Sequence, residues 1–543
     1  MAGRFIIRDP FALHREGVIK SRGFAMWRDN IRVARYVSES LKPCLGPSGM
    51  SKLVVDKFSE TAVTSHGAVI LDKMDMHHPV AKLLREAAKT VDKSVGDGTK
   101  TAIILIGELL GKAETLSAQK LEVNKIIRGY TLAYGIAMKH LKKCGKPIDN
   151  LESKTVKTLL TNLFTSRGLG EAEYLAEIAA RAIFAALKDR GNKKAVDKDA
   201  IKIVKKVGGT LRDSRVVDGV IINKGVAHPA MPRIMDDVKI AVLNMALKID
   251  EFRHLQPFKY HLEITNPNLI DQFLGEEVEI VKKVVDKIVS VGANMIICRK
   301  RIGDVAKQLL AEKGIMGVSR LLNEEEFNSV AKITGGRIVA DVEDLREEDL
   351  GRASSAREEK IGDSTVIIVE GCNNAGGATI LLRGVSESVL GEAEHTINDS
   401  IKYVSAFLEN STYLPGGGAI ETYLASTIRN ESIRYGGKEQ EAMLAFADCL
   451  ETIPKLIADN AGYDPIDVLT ALRSRHAEGH HQYGIEPFSG KIVDMFKTNV
   501  VEPYSVKEQI LKTSFETAMA LLRIDELVDR RYAKRHEGEL GGQ

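Results

Sequence analysis

The sequence predicts a multidomain protein in which a mainly α-helical domain, made from both chain ends, carries an inserted α/β domain. The chain has 543 residues, more than a single hydrophobic core usually organises. Helical periodicity runs from about residue 24 to 145, short β-branched runs alternate with helical stretches between about 215 and 370, and helical periodicity returns after about 405. Strand–helix alternation inside a helical frame is typical of an inserted α/β domain.

The two ends of the chain supply the helical signal. In residues 79–91, PVAKLLREAAKTV, apolar side chains recur three and four residues apart and therefore share one helix face. The run AIILIGELLGKA after Thr101 predicts a helix that is apolar on nearly all sides. Residues 442–458, 464–479 and 505–522 predict further helices in the C-terminal part.

The middle of the chain supplies the α/β signal. Residues 268–290 predict one long helix with an apolar face. Four short runs rich in β-branched residues predict strands: RVVDGVIIN (215–223), KIAVLNMAL (239–247), ANMIICRK (293–300) and STVIIVEG (364–371).

Composition excludes several classes of function. The 77 basic and 74 acidic residues leave a net charge of +3, too small to indicate nucleic acid or an anionic membrane as a partner. The five cysteines are far apart and form no CxxC pair, which indicates reduced core residues in a cytoplasmic protein. No apolar run approaches the length of a membrane span.

The strongest chemical signal is the segment VGDGTKT, residues 95–101. Its two glycines allow the backbone to approach a bulky ligand, and the N–H groups at a helix start suit a phosphate. Asp97 is a candidate Mg²⁺ ligand, because Mg²⁺ prefers oxygen ligands and shares its shell with phosphates. A purely structural turn with a capping threonine remains the alternative interpretation.

Two further glycine clusters strengthen the phosphate interpretation. Residues 45–50, LGPSGM, form a predicted tight turn, and residues 414–419, LPGGGA, open a helix with Glu421 in its first turn. Three such turns in one helical domain are expected to converge on one ligand. No segment fits GxxxxGK[ST], and no GxGxxG lies between a strand and a helix, so ordinary P-loop and Rossmann sites are excluded.

Blocks along nearly the whole chain resemble the group II chaperonins, in family order, and the central and C-terminal parts are most similar to archaeal thermosome subunits. The differences noted below give the chain the character of a divergent paralogue. The blocks are LGPSGMSKLVVD, HGAVILDKM, HHPVAKLLREAAKTVDKSVGDGTKT, EGCNNAGGATILLRG, AEHTINDSI, PGGGAIE, NAGYDPIDVL, GKIVDMFKTNVVEPYSVK and LLRIDEL.

The resemblance implies three domains. An equatorial ATPase domain, mainly α, takes residues 1–146 and 405–543; an α+β intermediate domain takes 147–215 and 371–404; an α/β apical domain takes 216–370, with a lid protrusion at about 248–276. It also implies a ring subunit. Homologous subunits form an 8- or 9-membered double ring that encloses and folds non-native proteins, and ATP binding and hydrolysis drive lid closure.

The family's functional residues match positions of this chain. Asp97 matches the Mg²⁺ ligand, and Asp399 matches the carboxylate that orients the attacking water. Lys100 stands where the family usually has a threonine, and a lysine there can still face phosphate as a point charge. The remaining matches are Leu45, Gly46 and Pro47 in the turn on the nucleotide, Gly98, Thr99, Lys100 and Thr101 in the phosphate cradle, Gly417 at the nucleoside, and Glu502 at the ribose.

Two departures concern hydrolysis. His66 replaces an aspartate near the γ-phosphate, and Arg167 replaces a lysine thought to sense that phosphate. A neutral imidazole can accept a proton from water but supplies no fixed negative charge, and arginine brings a larger planar fork. We therefore expect a chaperonin-type ATP hydrolase with weakened turnover. The alternatives are a nucleotide-binding structural or regulatory subunit that works beside active paralogues, and an unrelated ATP-using enzyme.

Three secondary features complete the expectations. Phe252, Phe258 and Tyr260 are candidate client contacts in the lid region, and the histidines of residues 476–481 are expected in a solvated loop. The segments RFII and LLRIDEL are short β-prone pieces that we expect to pair with a neighbouring subunit's hairpin around residues 51–65. Glycines at 208–209 and 371–377 are expected where the inserted domain leaves and rejoins the chain.

Overall fold

The structure is a computed structural model that describes residues 19–55, 61–148, 153–190, 193–248, 267–362, 364–372 and 377–529. The chain forms two compact units. The first unit joins both chain ends, Met1–Ile148 and Thr412–Gln543, and the second is Asp149–Ser411. The multidomain organisation is therefore confirmed at this level, and the division into equatorial, intermediate and apical domains at the stated boundaries stays a prediction.

The first unit is mainly helical, with elements numbered in chain order over the whole protein. Its helices are α1 (Phe24–Leu41), α2 (Gly67–Lys73), α3 (Pro79–Val95), α4 (Thr99–Ala118), α5 (Val123–Cys144), α12 (Ala419–Ser432), α13 (Lys438–Leu450), α14 (Thr452–Asn460), α15 (Pro465–Ala477) and α16 (Tyr504–Leu522). Its strands are β1 (Ile19–Arg22), β2 (Lys52–Val55), β3 (Thr61–Thr64), β4 (Lys146–Pro147), β17 (Thr412–Pro415), β18 (Tyr483–Ile485), β19 (Ile492–Asp494), β20 (Val501–Pro503) and β21 (Glu526–Asp529).

Helix α4 forms the centre of this unit. Its side chains are buried on almost all sides, including Ile103, Ile104 and Ile106, and it packs against α1, α3, α13 and α16. Burial all round explains why its sequence is apolar without a clear periodicity. The strands form small sheets around these helices: β1 with β21, β2 with β3, β18 with β19, and the three-stranded sheet β20–β17–β4.

Within the described residues, the second unit contains three sheets, of seven, three and two strands. Its helices are α6 (Ser153–Ser166), α7 (Ala172–Ala185), α8 (Pro267–Ser290), α9 (Asp304–Glu312), α10 (Glu324–Thr334) and α11 (Glu387–Asn410). Its strands are β5 (Leu187–Arg190), β6 (Lys193–Val196), β7 (Ile201–Val207), β8 (Arg215–Val217), β9 (Gly219–Ile222), β10 (Ile234–Leu243), β11 (Met295–Cys298), β12 (Met316–Val318), β13 (Ile338–Val339), β14 (Gly351–Ile361), β15 (Ser364–Glu370) and β16 (Ala378–Gly384).

The seven-stranded sheet has the order β12–β11–β10–β14–β15–β9, with β13 beside β10, and the three-stranded sheet has the order β7–β16–β8. Strands β10, β11 and β12 run parallel to one another, whereas β10 and β14 are antiparallel. Strands β11 and β12 and the last four residues of β10 are buried on both faces, which fits their continuous apolar sequences. Val281, Val284 and Ile288 of α8 cover one face, and Phe327 and Val330 of α10 belong to the cluster on the other.

The structure corrects several predicted elements. The run 442–458 is two helices, because α13 ends at Leu450 and α14 begins at Thr452. The run RVVDGVIIN is also divided, and β8 and β9 belong to different sheets. Gly208 and Gly209 turn the chain between β7 and β8 inside the three-stranded sheet, so the chain passes to the large sheet later, at Asp218.

The C-terminal strand begins later than expected, at Glu526, because α16 continues to Leu522. This strand pairs with β1 of the same chain. The segment RFII, Phe252, Phe258, Tyr260 and most of the expected lid lie outside the described residues. In the described part of the chain, no helix is both long and apolar enough to span a membrane.

Candidate functional site

The segment between α3 and α4 folds as a tight reversal built on two glycines. Gly96 ends α3 with φ 72°, and Gly98 precedes α4 with φ 83°. Both values lie in the left-handed region that favours glycine. Among the described residues, no side chain caps the start of α4 at Gly98, so the helix dipole and the first N–H groups present a site suited to an anion.

Helix α16 packs against this turn at Gly98. A Cβ atom added at Gly98 would lie 2.6 Å from Cγ1 of Ile510 and 3.3 Å from a methyl carbon of Val506. Close packing against α16 is therefore a second reason, besides the backbone angle, for glycine at this position.

Thr99 supplies a direct test of whether the residues fit a phosphate or its metal ion. This residue is only 4% exposed, and its hydroxyl oxygen has no hydrogen-bond partner among the described residues. Buried hydroxyl groups are normally hydrogen-bonded, because an unsatisfied one costs free energy. A phosphate oxygen or a Mg²⁺-bound water would satisfy it, and the half-buried Asp97 offers the oxygen ligands that Mg²⁺ prefers.

Lys100 connects the start of α4 to the turn at residues 45–47. Its ammonium group donates a hydrogen bond of 2.7 Å to the carbonyl oxygen of Cys44, and the side-chain amide of Asn460 donates one of 2.9 Å to the carbonyl of Leu45. Gly46 in this turn has φ 80°. The structure therefore brings the two predicted glycine turns together, and it uses Lys100 as a brace within the site.

The third glycine turn joins the same unit through the sheet β20–β17–β4. Leu414 of β17 pairs with Glu502 of β20, which brings the predicted ribose carboxylate beside the start of the glycine run. Gly417 has φ 61°, and a Cβ there would lie 2.7 Å from the carbonyl oxygen of Ile485. Glycine is therefore required at this turn.

Burial and several charged groups determine the pKa of Glu502. Burial raises the pKa of Glu502 to about 7, Lys507 opposes this shift, and the negative charges of Glu421 and Asp97 add to it. Asp97 and Glu502 are thus within electrostatic reach of each other. An excess of carboxylates around one lysine is a suitable environment for Mg²⁺ and for hydroxyl donors.

His66 has a local role that sequence analysis missed. It precedes α2, and its Nδ1 accepts a hydrogen bond of 3.3 Å from the backbone N–H of Val69. Its Nε2 lies 3.2 Å from Oδ1 of Asp92. The cap requires a lone pair on Nδ1, so the neutral ring carries its proton on Nε2, beside the carboxylate. In this arrangement Nδ1 forms the helix cap and Nε2 lies beside a carboxylate.

Asp399 and Arg167 belong to the second unit, where they form a buried ion pair. Nη1 of Arg167 donates a hydrogen bond of 2.7 Å to Oδ2 of Asp399, and Nζ of Lys402 lies 2.8 Å from Oδ1. Both partners of the Arg167 pair are almost fully buried. Two cations therefore hold the carboxylate of Asp399 in one orientation.

Sequence reasoning identified Asp399 and Arg167 separately but not their pairing, since no sequence signal links residues 232 positions apart. The Lys402 contact has a weak signal in its i,i+3 spacing on α11. The expectation of a solvated histidine loop is wrong for His476. It is buried on α15 and its Nε2 lies 2.8 Å from the carbonyl oxygen of Tyr483.

Comparison with known proteins identifies the family. Residues 37–531 match the model of the TCP-1/cpn60 chaperonin family. The chain is 40% identical to a thermosome subunit of Methanopyrus kandleri over 95% of this chain and 94% of that one. It is 40% identical to a thermosome subunit of Pyrococcus horikoshii, over 98% and 96%, and 38% identical to thermosome subunit alpha of Archaeoglobus fulgidus, over 98% of each. The chain belongs to the TCP-1/cpn60 chaperonin family and is a group II chaperonin subunit.

Proposed function

We propose that this chain is an ATP-hydrolysing subunit of a double-ring chaperonin that encloses and folds non-native proteins. The main evidence for the site is the turn at Asp97–Gly98–Thr99. In the described chain, the start of α4 has no side-chain cap, and the buried hydroxyl group of Thr99 has no hydrogen-bond partner. Full-length similarity to thermosome subunits favours this function over a purely structural, nucleotide-binding subunit.

The first unit supplies the proposed Mg-ATP site. Asp97 would hold Mg²⁺, which neutralises phosphate charge when bound. Gly98, Thr99 and Thr101 at the start of α4 would bind phosphate oxygens, and Lys100 braces the turn through Cys44. The nucleoside side comprises Leu45, Gly46, Pro47, Gly417 and Glu502, with the carboxylate of Glu502 accepting hydrogen bonds from ribose hydroxyl groups.

The proposed catalytic role of Asp399 is to orient the attacking water for in-line phosphoryl transfer, where positioning contributes most of the rate. Arg167 and Lys402 each contact one oxygen of this carboxylate and hold its orientation. His66 caps α2 and offers no fixed negative charge, so we propose that hydrolysis is slower than in a subunit with aspartate at this position.

Assembly is proposed to use the paired strands at the chain ends and the hairpin β2–β3. Leu53 of that hairpin is 67% exposed and Val63 is 52% exposed, and a two-stranded ribbon keeps edges that a neighbouring copy can extend. We propose rings of eight or nine homologous subunits with non-native proteins as clients. A cytoplasmic location is supported by five free cysteines, which suit a reducing compartment.

Binding and folding are tested together on the assembled protein. Calorimetry should detect Mg-ATP binding to the wild-type chain and a strong loss in Asp97→Ala, which removes the proposed metal ligand. The same wild-type assembly should restore the activity of a chemically denatured client enzyme only with Mg-ATP. Equal recovery without nucleotide, or ATP affinity that does not depend on Asp97, would contradict the proposal.

A further inference from the structure

One buried lysine connects two carboxylates beside the glycine turn at residue 417. Nζ of Lys507 lies 2.5 Å from Oε1 of Glu421 and 2.9 Å from Oε1 of Glu502. The side chains of Lys507 and Glu421 are 7% and 3% exposed, and that of Glu502 is 23% exposed. Glu502 is therefore the member of this triad that a ligand can reach.

The three residues lie on three different elements. Lys507 is in the first turn of α16, Glu421 is in the first turn of α12 directly after the turn at Gly416–Gly418, and Glu502 is in β20. The Lys507–Glu421 pair is enclosed, so its geometry is held by packing from both helices. Lys507 is the only ion-pair partner of Glu502 within the described residues.

This arrangement fixes the open carboxylate through the buried one. The ammonium group engages Oε1 of Glu502 and is itself anchored on Glu421. Without the lysine, two carboxylates would face each other in a poorly solvated space, and repulsion would protonate or displace one of them. Orientation and charge of Glu502 thus both depend on Lys507.

We propose that Lys507, anchored on Glu421, is a positioning residue that gives the nucleotide site its preference for a ribose with both hydroxyl groups. The inference rests on the proposed role of Glu502 at the ribose. An oriented carboxylate accepts hydrogen bonds from two neighbouring hydroxyl groups at once. A 2′-deoxyribose lacks one donor, and a site built around a hydroxyl group rejects the analogue that lacks it.

The test compares binding of ATP and 2′-deoxy-ATP, each with Mg²⁺, to the assembled full-length protein. The double variant Glu421→Gln/Lys507→Gln keeps side-chain volume and polarity but removes the anchored ammonium group. We expect the wild type to prefer ATP and the double variant to lose about tenfold of that preference. A variant that only disturbs the protein structure would weaken the binding of ATP and 2′-deoxy-ATP equally. The ratio of their Kd values is therefore the decisive readout.

Two variants separate the inference from the proposed ribose role. If Glu502→Ala leaves the preference unchanged, the ribose role is wrong; if Glu502→Ala removes it but the double variant retains it, only the positioning role of Lys507 is overturned. Lys507→Arg keeps the positive charge needed for folding but changes the distances to Glu421 and Glu502. We expect this variant to lose part of the preference for ATP, but less than the double variant loses. An unchanged ratio in Lys507→Arg contradicts the inference even where the double variant does not fold.

A control uses another ion pair of the same unit, between a half-exposed arginine and a buried carboxylate. Arg473 lies against Glu451, which is almost fully buried and is also held by Arg429. Arg473→Gln disturbs a comparable pair that has no proposed contact with the sugar. We expect the ATP preference to stay at the wild-type value in this variant, and a loss equal to that of the double variant would show a general structural effect.

Discussion

Individual residues that replace the usual family residues are held by contacts of their own. His66 caps α2 and lies beside Asp92, and Arg167 pairs with Asp399. Each therefore has a structural partner that its chemistry suits: an imidazole lone pair for a helix start, and a guanidinium fork for a carboxylate. We therefore expect these residues to change which groups are available for catalysis while each keeps a structural contact of its own.

Arg167 can be tested by graded substitution. Arg167→Lys keeps a cation beside Asp399, whereas Arg167→Gln removes that cation and leaves the buried carboxylate beside Lys402. We expect Arg167→Gln to lower ATP turnover about 100-fold with little change in the Kd for ATP, and Arg167→Lys to lower it much less. Steady-state kinetics measures turnover, and equilibrium binding measures the Kd for ATP. An equal loss of ATP affinity in both variants would contradict the prediction.

Glu502 predicts a pH dependence of the nucleotide-free protein. Its pKa is about 7 in the folded chain, against an ordinary value of 4.5. Between these values the folded state binds a proton that the unfolded state has lost, so this residue makes stability fall as pH rises from about 4.5 to 7. Glu502→Gln removes the effect. Calorimetric Tm values should therefore favour the variant increasingly toward pH 7, and parallel curves would show that the shift is absent.

Among the elements, the start of α4 has to meet several structural requirements of the site at once. It needs a left-handed glycine, close packing on α16 and a helix end without a side-chain cap. These requirements explain why the sequence GDGT indicates a phosphate site, because each residue type meets a different physical requirement.

Gly98→Ala tests the packing of this element. The added methyl group meets Ile510 and forces a backbone angle that alanine disfavours, so we expect a loss of about 1–3 kcal/mol in stability and weaker ATP binding. Gly135→Ala is the matched control, because Gly135 lies inside α5 with nothing near its added Cβ. The control should be stabilised by about 0.5–1 kcal/mol. Thermal unfolding of both variants measures the contrast, which disappears if Gly98 has no special role.

Elements with a strong period were predictable from sequence, and breaks without a sequence signal were not. The long helix expected at 268–290 is α8, Pro267–Ser290. The division between α13 and α14 was not predictable, because Glu451 is an ordinary helix former whose burial with Arg429 and Arg473 appears only in three dimensions. The same holds for Lys507, whose sequence surroundings look like an exposed helix start. The glycine turns were visible, but the cap formed by His66 was not.

At the scale of the whole molecule, the first unit takes segments from both chain ends, and strands β1 and β21 pair with each other. This pairing forms a two-stranded ribbon from segments near the two ends of the chain. Its open edges, together with the exposed apolar side chains of β2–β3, are the features on which the proposed ring assembly depends.

Truncation tests the assembly. Ending the chain after Met519 removes the last turn of α16 and all of β21, so we expect rings to be lost. Ending it after Asp529 keeps both elements and should leave rings intact. Native mass spectrometry distinguishes the outcomes, and rings formed by the shorter chain would rule out a role for β21 in assembly.

The most direct measurement is ATP turnover by the assembled wild type, His66→Asp, His66→Asn and Asp399→Ala in one assay, with Mg-ATP binding measured in parallel. Aspartate and asparagine both cap α2 well, so only the carboxylate differs between the two His66 variants. We predict slow wild-type turnover, an increase of about 10–100-fold in His66→Asp alone, and no turnover with intact binding in Asp399→Ala. A wild-type rate equal to that of His66→Asp, or undiminished turnover in Asp399→Ala, would contradict an ATPase whose rate depends on oriented carboxylates.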